Sequence, residues 1–421
     1  MNSPTLSCLL ASVKPFQPYR YSAKAGDPAT LLTQPYDKIS PQMQERYLAS
    51  SPYNLVRVIL GERRDSDTTA DNVYTRSARY FEDWIRQGIL AQDPAPGFYP
   101  YFQDFEVPDS RERLTRKGFI GLGKLEDYGA GSVYRHEETL VGPKKDRLEV
   151  LRHTRAHFGQ IFMLYPDRAG SVDRELDQAT EGAPLVDVID EYGARHRLWA
   201  ATDPARVAHI QELMAPMKLL IADGHHRYET ALTYRDEHPD VPAARYVMMT
   251  FVNMYSPGLK ILATHRVLHH LEGFTSDSLR SNATGAWTAK NFDSVERLKH
   301  ELNSAAPQTV RIGVVTATDA LLLTRPRQSD ELDVPVLHQE ILAKWLGISE
   351  DAVREEKHIH YVRGIDAAVA EVRERGAQVA FLLEPTPIDD MARVAFAGGV
   401  MPQKATDFYP KLLTGVAIYR L

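Results

Sequence analysis

Asp223, His225, His226 and Arg227 stand together in Ala222-Asp223-Gly224-His225-His226-Arg227-Tyr228-Glu229. Those side chains can bind anions, hold a cation and move protons. Asp223 can ligate Mg²⁺, orient a histidine or activate a hydroxyl. His225 and His226 can donate, shuttle protons or bind metal, and Arg227 can fork onto a phosphate or carboxylate. Zinc is disfavoured, because adjacent histidines rarely face one ion and no HExxH spacing is present. The plainer alternative is a simple Asp cap, one core histidine and a surface ion pair.

The flanking residues place this group at a strand-to-helix turn. Lys218-Leu219-Leu220-Ile221 reads as a compact apolar strand, and a helix is expected over 228–237. A helix N-terminus is an anion site by virtue of its backbone N–H groups. Asp223 is a candidate cap, and Gly224 permits a ligand's close approach or a positive φ.

Two further clusters have suitable chemistry. Met401-Pro402-Gln403-Lys404 through Asp407-Phe408-Tyr409-Pro410-Lys411 forms an ordered cationic loop, suited to an anionic substrate or merely solvated. His136-Glu137-Glu138 and Lys144-Lys145-Asp146-Arg147 sit at a loop-helix junction that could serve acid–base work or simply be a charged helix start. Weaker segments are Gln34-Pro35-Tyr36-Asp37, Ser51-Pro52-Tyr53-Asn54-Leu55-Val56-Arg57 with Arg57 in a strand, and Thr264-His265-Arg266 at a strand end.

The elements that position these groups mix throughout the chain, without the regular alternation of a doubly wound sheet. Helices are expected over 71–92, 142–157, 205–214, 335–346 and 365–376. Strands are expected over 98–106, 116–124, 160–165, 185–192, 195–201, 244–253, 258–264, 310–316, 319–325, 378–384 and 414–420. The fold class is α+β, mixed sheets with flanking helices. Three modules are expected, over 1–130, 131–285 and 286–421, the central one carrying the Asp-Gly-His-His-Arg turn.

Of 421 residues, 25% are charged and 43% hydrophobic, which excludes bulk disorder. The net charge of −6, with no basic run, disfavours nonspecific nucleic-acid binding. The single cysteine, Cys8, excludes an intrachain disulfide and a Cys-rich zinc site. The N-terminus lacks a basic start, and no stretch approaches the roughly 18 apolar residues of a spanning helix. A cytoplasmic protein with no membrane partner is expected, and a homodimer is allowed.

Taken in order, Pro35-Tyr36-Asp37, Pro52-Tyr53-Asn54-Leu55-Val56-Arg57, His136-Glu137-Glu138-Thr139, Gly142-Pro143-Lys144-Lys145-Asp146-Arg147, Ala222–Ala231, Thr264-His265-Arg266 and Met401-Pro402-Gln403-Lys404 resemble the signatures of the family catalogued as domain of unknown function 1015. The resemblance runs from about residue 10 to the C-terminus. The Asp-Gly-His-His-Arg turn is also similar to that of ParB-like proteins that phosphorylate free L-serine, where it works with nucleotide phosphates and Mg²⁺. That resemblance implies an enzyme that moves a phosphoryl group between ATP or ADP and serine or phosphoserine, in either direction. It implies catalytic roles for Asp223, His225, His226 and Glu137, with Asp223 contacting Mg²⁺. Phosphate or nucleotide would fall to Gly224, Arg227, Arg147, His265 and Arg266, and substrate to His136, Lys404, Lys411, Tyr36 and Arg57. The competing readings are a phosphoserine phosphatase and a ParB-like nucleotide-binding switch associated with DNA.

Overall fold

The computed structural model describes residues 11–421 except 109, 138–141, 305, 307 and 330. Among these residues no helix is long and apolar enough to cross a membrane. The chain divides into two compact units, the first formed by 11–135, 142–260 and 410–421, the second by 136–137 and 261–409. The expected boundary near 130 falls within strands of one sheet, and the chain returns to the first unit at Pro410.

In the first unit a nine-stranded sheet gathers β1 (Val13–Lys14), β2 (Tyr99–Glu106), β3 (Arg113–Lys124), β4 (Val133–Tyr134), β5 (Ile161–Tyr165), β6 (Val186–Ile189), β7 (Arg195–Leu198), β8 (Leu219–Asp223) and β9 (Tyr246–Asn253). The order is β4-β8-β5-β9-β3-β2-β7-β6, with β1 beside β3. β9 is parallel to β5 and β8 to β4, whereas β8 is antiparallel to β5. Every residue of β5 is buried, as its unbroken run Ile-Phe-Met-Leu-Tyr requires of a strand covered on both faces.

Helices α1 (Pro41–Ser50), α2 (Val56–Ile59), α3 (Val73–Arg86), α4 (Gly142–Thr154), α5 (Ser171–Gln178), α6 (Pro204–Met214) and α7 (His225–Glu237) complete this unit. Tyr228 and Ala231 of α7 share one core with Ile161, Met163, Ile221 and Phe251. The Tyr228 hydroxyl donates to Glu126 O at 2.8 Å and accepts from Glu126 N at 3.0 Å, so burying the phenol leaves no orphaned polar atom. These contacts fix the start of α7 against the sheet. A second cluster joins Leu55, Val58, Phe81, Trp84, Phe158 and Ile418.

The second unit is built on a six-stranded sheet: β10 (Thr264–Leu268), β11 (Thr288–Phe292), β12 (Thr309–Val315), β13 (Ala320–Pro326), β14 (Ile359–Arg363) and β15 (Val379–Leu382). Its order is β11-β13-β12-β15-β10-β14, antiparallel at every pairing. Val267, Leu298, Val315, Leu322, Val372 and Leu382 form its core.

Both sheets with their flanking helices make the chain α+β, the expected class. Local departures are informative. Arg57 lies in the short helix α2, not a strand, because Leu55, Val58 and Ile59 are buried in the helical cluster. The terminal strand is reduced to Tyr419–Arg420, paired with Ala156–His157.

Candidate functional site

β8 reaches its end through an irregularity: its register against β5 shifts between Ile221 and Asp223, which pairs with Phe162. Such a shift re-aims the side chain that follows it. Gly224 then takes φ 94°, left-handed backbone that glycine adopts without strain. α7 begins at His225, earlier than the expected 228, so His225, His226 and Arg227 occupy its first turn. The cap position belongs to Gly224 and not to Asp223, and no side chain caps the turn. Asp223 Oδ1 instead accepts the N–H of Gly224 at 2.8 Å.

The other carboxylate oxygen faces cations. Lys411 Nζ is 3.6 Å from Asp223 Oδ2 and Arg227 Nη2 is 4.0 Å from it. Burial by itself would raise the Asp223 pKa. Lys411, Arg227, Lys38 and His225 outweigh it and hold the carboxyl far below the usual carboxylate range. Arg227 lies flat along glycines: a Cβ on Gly224 would meet its Nη2 at 3.0 Å, and one on Gly159 its Nη1 at 3.1 Å. The same Nη1 donates to Gln160 O at 2.5 Å. The guanidinium is thus held in place before any ligand arrives.

Beside Arg227 opens a cavity of about 70 Å³ whose wall includes Tyr36, Arg147, Phe158, Gly159, Thr230 and Thr414. Arg147 is buried, stacks 4.1 Å from the Tyr36 ring centroid and donates from Nη1 to Ile59 O at 2.6 Å. Its Nε donates to Asp146 Oδ2 at 3.0 Å. Burial and Asp37 push the Tyr36 phenol up, against Arg147 and Arg227. His225 is buried and His226 half-buried.

Asp223, Gly224, His225, His226, Arg227, Tyr36, Arg147 and Lys411 therefore share the first unit. Arg57 shares it too, but lines a separate pocket with Gly61, Val73 and Arg76 and donates to Leu48 O at 2.6 Å. His136, Glu137, His265, Arg266 and Lys404 belong to the second unit. There His136 Nε2 is 2.7 Å from Thr406 Oγ1, and Glu137 Oε1 accepts the N–H of Lys404 at 2.9 Å. Arg266 is fully buried and donates to Lys404 O at 3.1 Å, while His265 Nδ1 accepts the N–H of Leu383 at 3.2 Å.

Sequence reasoning missed Lys38 and Arg116. Lys38 follows Pro35-Tyr36-Asp37 directly. Arg116 stands next to Lys117 just before the apolar run of β3; it is fully buried, and its pKa is lowered by burial to about 9 although Tyr101 and Asp223 oppose the fall. A charged residue inside a buried strand is itself a signal, because such a charge must have partners.

The model of a family described as proteins of unknown function, DUF1015, matches residues 13–340. A search of the curated proteins gives no match. Among solved structures, a conserved hypothetical protein from Pyrococcus furiosus is 12% identical, over 68% of this chain and 92% of that one, with a TM-score of 0.36. A free serine kinase in complex with AMP is 11% identical, over 68% and 89%, with a TM-score of 0.36. SbnI from Staphylococcus aureus, with a C-terminal truncation, is 9% identical, over 71% and 87%, with a TM-score of 0.36.

Proposed function

The chain belongs to the DUF1015 family, and we propose that its first unit is a phosphotransferase acting on free serine or phosphoserine with ATP or ADP. The observation that carries the reading is the single carboxylate of Asp223 set among Lys411, Arg227 and Lys38 at the start of α7. Phosphoryl transfer asks for charge neutralisation, alignment and a group that orients the hydroxyl.

In this reading the phosphate oxygens lie on Arg227, Lys411 and the first turn of α7, where side-chain cations and backbone dipoles act together. Asp223 stays ionised at every working pH. It is therefore a strong hydrogen-bond acceptor for the serine hydroxyl and a weak base, which suits orientation better than full proton abstraction. His226, on the same turn, contacts the transferring group. Arg147 and Tyr36 line the adjoining cavity and receive the substrate's second anionic group.

No three His, Cys, Asp or Glu side chains among the described residues group as a metal site. Asp223 alone suits a cation carried in on phosphates, since Mg²⁺ takes one or two carboxylates beside substrate oxygens and waters. Bound there, Mg²⁺ would supply further neutralisation of phosphate charge. Glu137, His136, Lys404, His265 and Arg266 stand in the second unit, and the reading does not depend on them.

Phosphorus NMR of the purified chain with Mg²⁺ tests the proposal, using L-serine with ATP or ADP and, separately, phosphoserine with and without ADP. Phosphoserine formation, or its nucleotide-dependent loss, is the expected result. Phosphate release without nucleotide would replace the transferase with a phosphatase, and silence in every mixture would remove serine as substrate.

A further inference from the structure

We propose that Gln103, Tyr101 and His196 are positioning residues for Lys411, acting through a buried hydrogen-bond relay that fastens the backbone of residues 410–413. The inference deepens the reading of Lys411 as a phosphate ligand and rests on it. The lysine comes from an irregular segment, yet its ammonium sits 3.6 Å from Asp223 and its side chain is only 11% exposed. A flexible four-carbon stem does not settle there without a fixed origin, because holding it costs rotamer entropy.

The origin is fixed from β2 and β3. Gln103 Nε2 donates to Lys411 O at 2.8 Å, Arg116 donates to Pro410 O, and the Tyr101 hydroxyl accepts the N–H of Leu413 at 3.2 Å. Tyr101, Gln103, Arg116 and His196 are each at most 2% exposed. Every proton in the relay has one consistent place. Gln103 Oε1 accepts from Arg116 Nε at 2.9 Å, which fixes the amide's orientation and aims both N–H groups of Nε2 away from Arg116. One reaches Lys411 O and the other His196 Nδ1 at 3.2 Å. The single lone pair of His196 Nδ1 takes the Tyr101 hydroxyl proton at 2.7 Å, and the Gln103 N–H shares it at the longer distance. Nε2–H must then donate, and it meets Asp190 Oδ2 at 3.1 Å. Asp190 is itself held by the N–H groups of Tyr192 and Ala194, both at 2.9 Å, and by Gln34 Nε2 at 3.1 Å.

The arrangement is complete only with His196 neutral, since a proton on Nδ1 would face two donors. Burial and Arg116 lower the His196 pKa, in keeping with that state, against the pull of Asp190. Removing the Gln103 amide would take the side-chain donor from Lys411 O and one acceptor from Arg116. The simplest relief is for the 410–413 segment to move out, taking the ammonium away from Asp223.

The test is competitive acetylation of the intact chain with acetic anhydride, reading Lys411 by mass spectrometry against the exposed Lys290 of the second unit, together with calorimetric titration of ADP. Gln103→Leu should speed Lys411 acetylation relative to Lys290 by about fivefold or more and weaken ADP binding by about tenfold, the value of one to two lost hydrogen bonds. Tyr101→Phe, which removes one hydroxyl and keeps the ring, should shift both in the same direction by about two- to threefold. It decides the matter if the leucine variant does not fold. Lys411 acetylation unchanged within experimental error in a folded variant would overturn the relay. Faster acetylation in a chain whose wild type binds no ADP would support the relay and refute the nucleotide reading.

Discussion

Replacing Asp223 by Asn keeps the acceptor for the Gly224 N–H and removes only the charge. At 3.6 Å from Lys411 and 4.0 Å from Arg227, each attraction is about 4–5 kcal/mol gross at an effective dielectric constant of 20. The carboxylate is 30% exposed, so solvent screening and desolvation leave a small part of that sum. We expect a net loss of about 2 kcal/mol in urea denaturation at pH 7 for Asp223→Asn. Lys411→Met should cost less, about 1 kcal/mol or below, because it also relieves repulsion from Arg227. The pH dependence follows from the depressed pKa of Asp223 in the folded chain. Its stabilisation is present above the unfolded value near 3.9 and fades below it, so the gap between wild type and Asp223→Asn should narrow by about 1 kcal/mol from pH 5 to pH 3. Pyrophosphate should restore the variant more than it stabilises wild type, since it supplies the missing anion. A variant as stable as wild type at pH 7, or a gap that does not narrow in acid, would refute the argument.

In assays of phosphoryl transfer, Asp223→Asn and His226→Ala should each lower kcat/KM by about 10²-fold or more, and losses below about tenfold in both would reject their roles. His265 and His338 of the second unit are pushed down to about 4 and about 3 by burial and, secondarily, by Arg266. Both stay neutral when folded, so stability should fall by about 2–3 kcal/mol per pH unit as pH drops below the unfolded value near 6.5. His338→Gln should lower that slope by about 1.4 kcal/mol per pH unit, and a urea midpoint equal at pH 7 and pH 5 would contradict the reasoning. Gly415 has φ 95°, and a Cβ there would lie 2.7 Å from Leu55 Cδ2. Gly415→Ala should therefore cost about 2 kcal/mol or more, visible as a lower Tm, and an unchanged Tm would show that this turn tolerates a side chain.

Strands with continuous apolar runs were the most legible elements, because β5 and β9 are buried on both faces and their composition says so. Arg57 was misplaced for a related reason. Its apolar β-branched neighbours suit a strand, and only packing against α3 makes them a single helical turn. Helix α1 had an N-terminal signal in Ser40 and Pro41, and its weak amphipathicity hid it. At the candidate site, the turn at 222–229 is local and could be read directly. Its surroundings are not local: Lys38, Arg116 and Lys411 reach Asp223 through sheet register and chain return, which no spacing along the sequence encodes. The two-unit division was hidden for the same reason, since it depends on residues 410–421 rejoining strands made far earlier.

That return also sets an order of biosynthesis. The ribosome makes Asp223 and Arg227 before any of 261–409, and Lys411 only after all of it. Until Pro410–Leu421 emerges, Gln103 and Arg116 have no 410–413 backbone to hold and the carboxylate lacks the Lys411 ammonium. A nascent chain arrested within the second unit thus carries the whole turn yet only part of its charge. Completion of the site reports that translation has passed through everything in between.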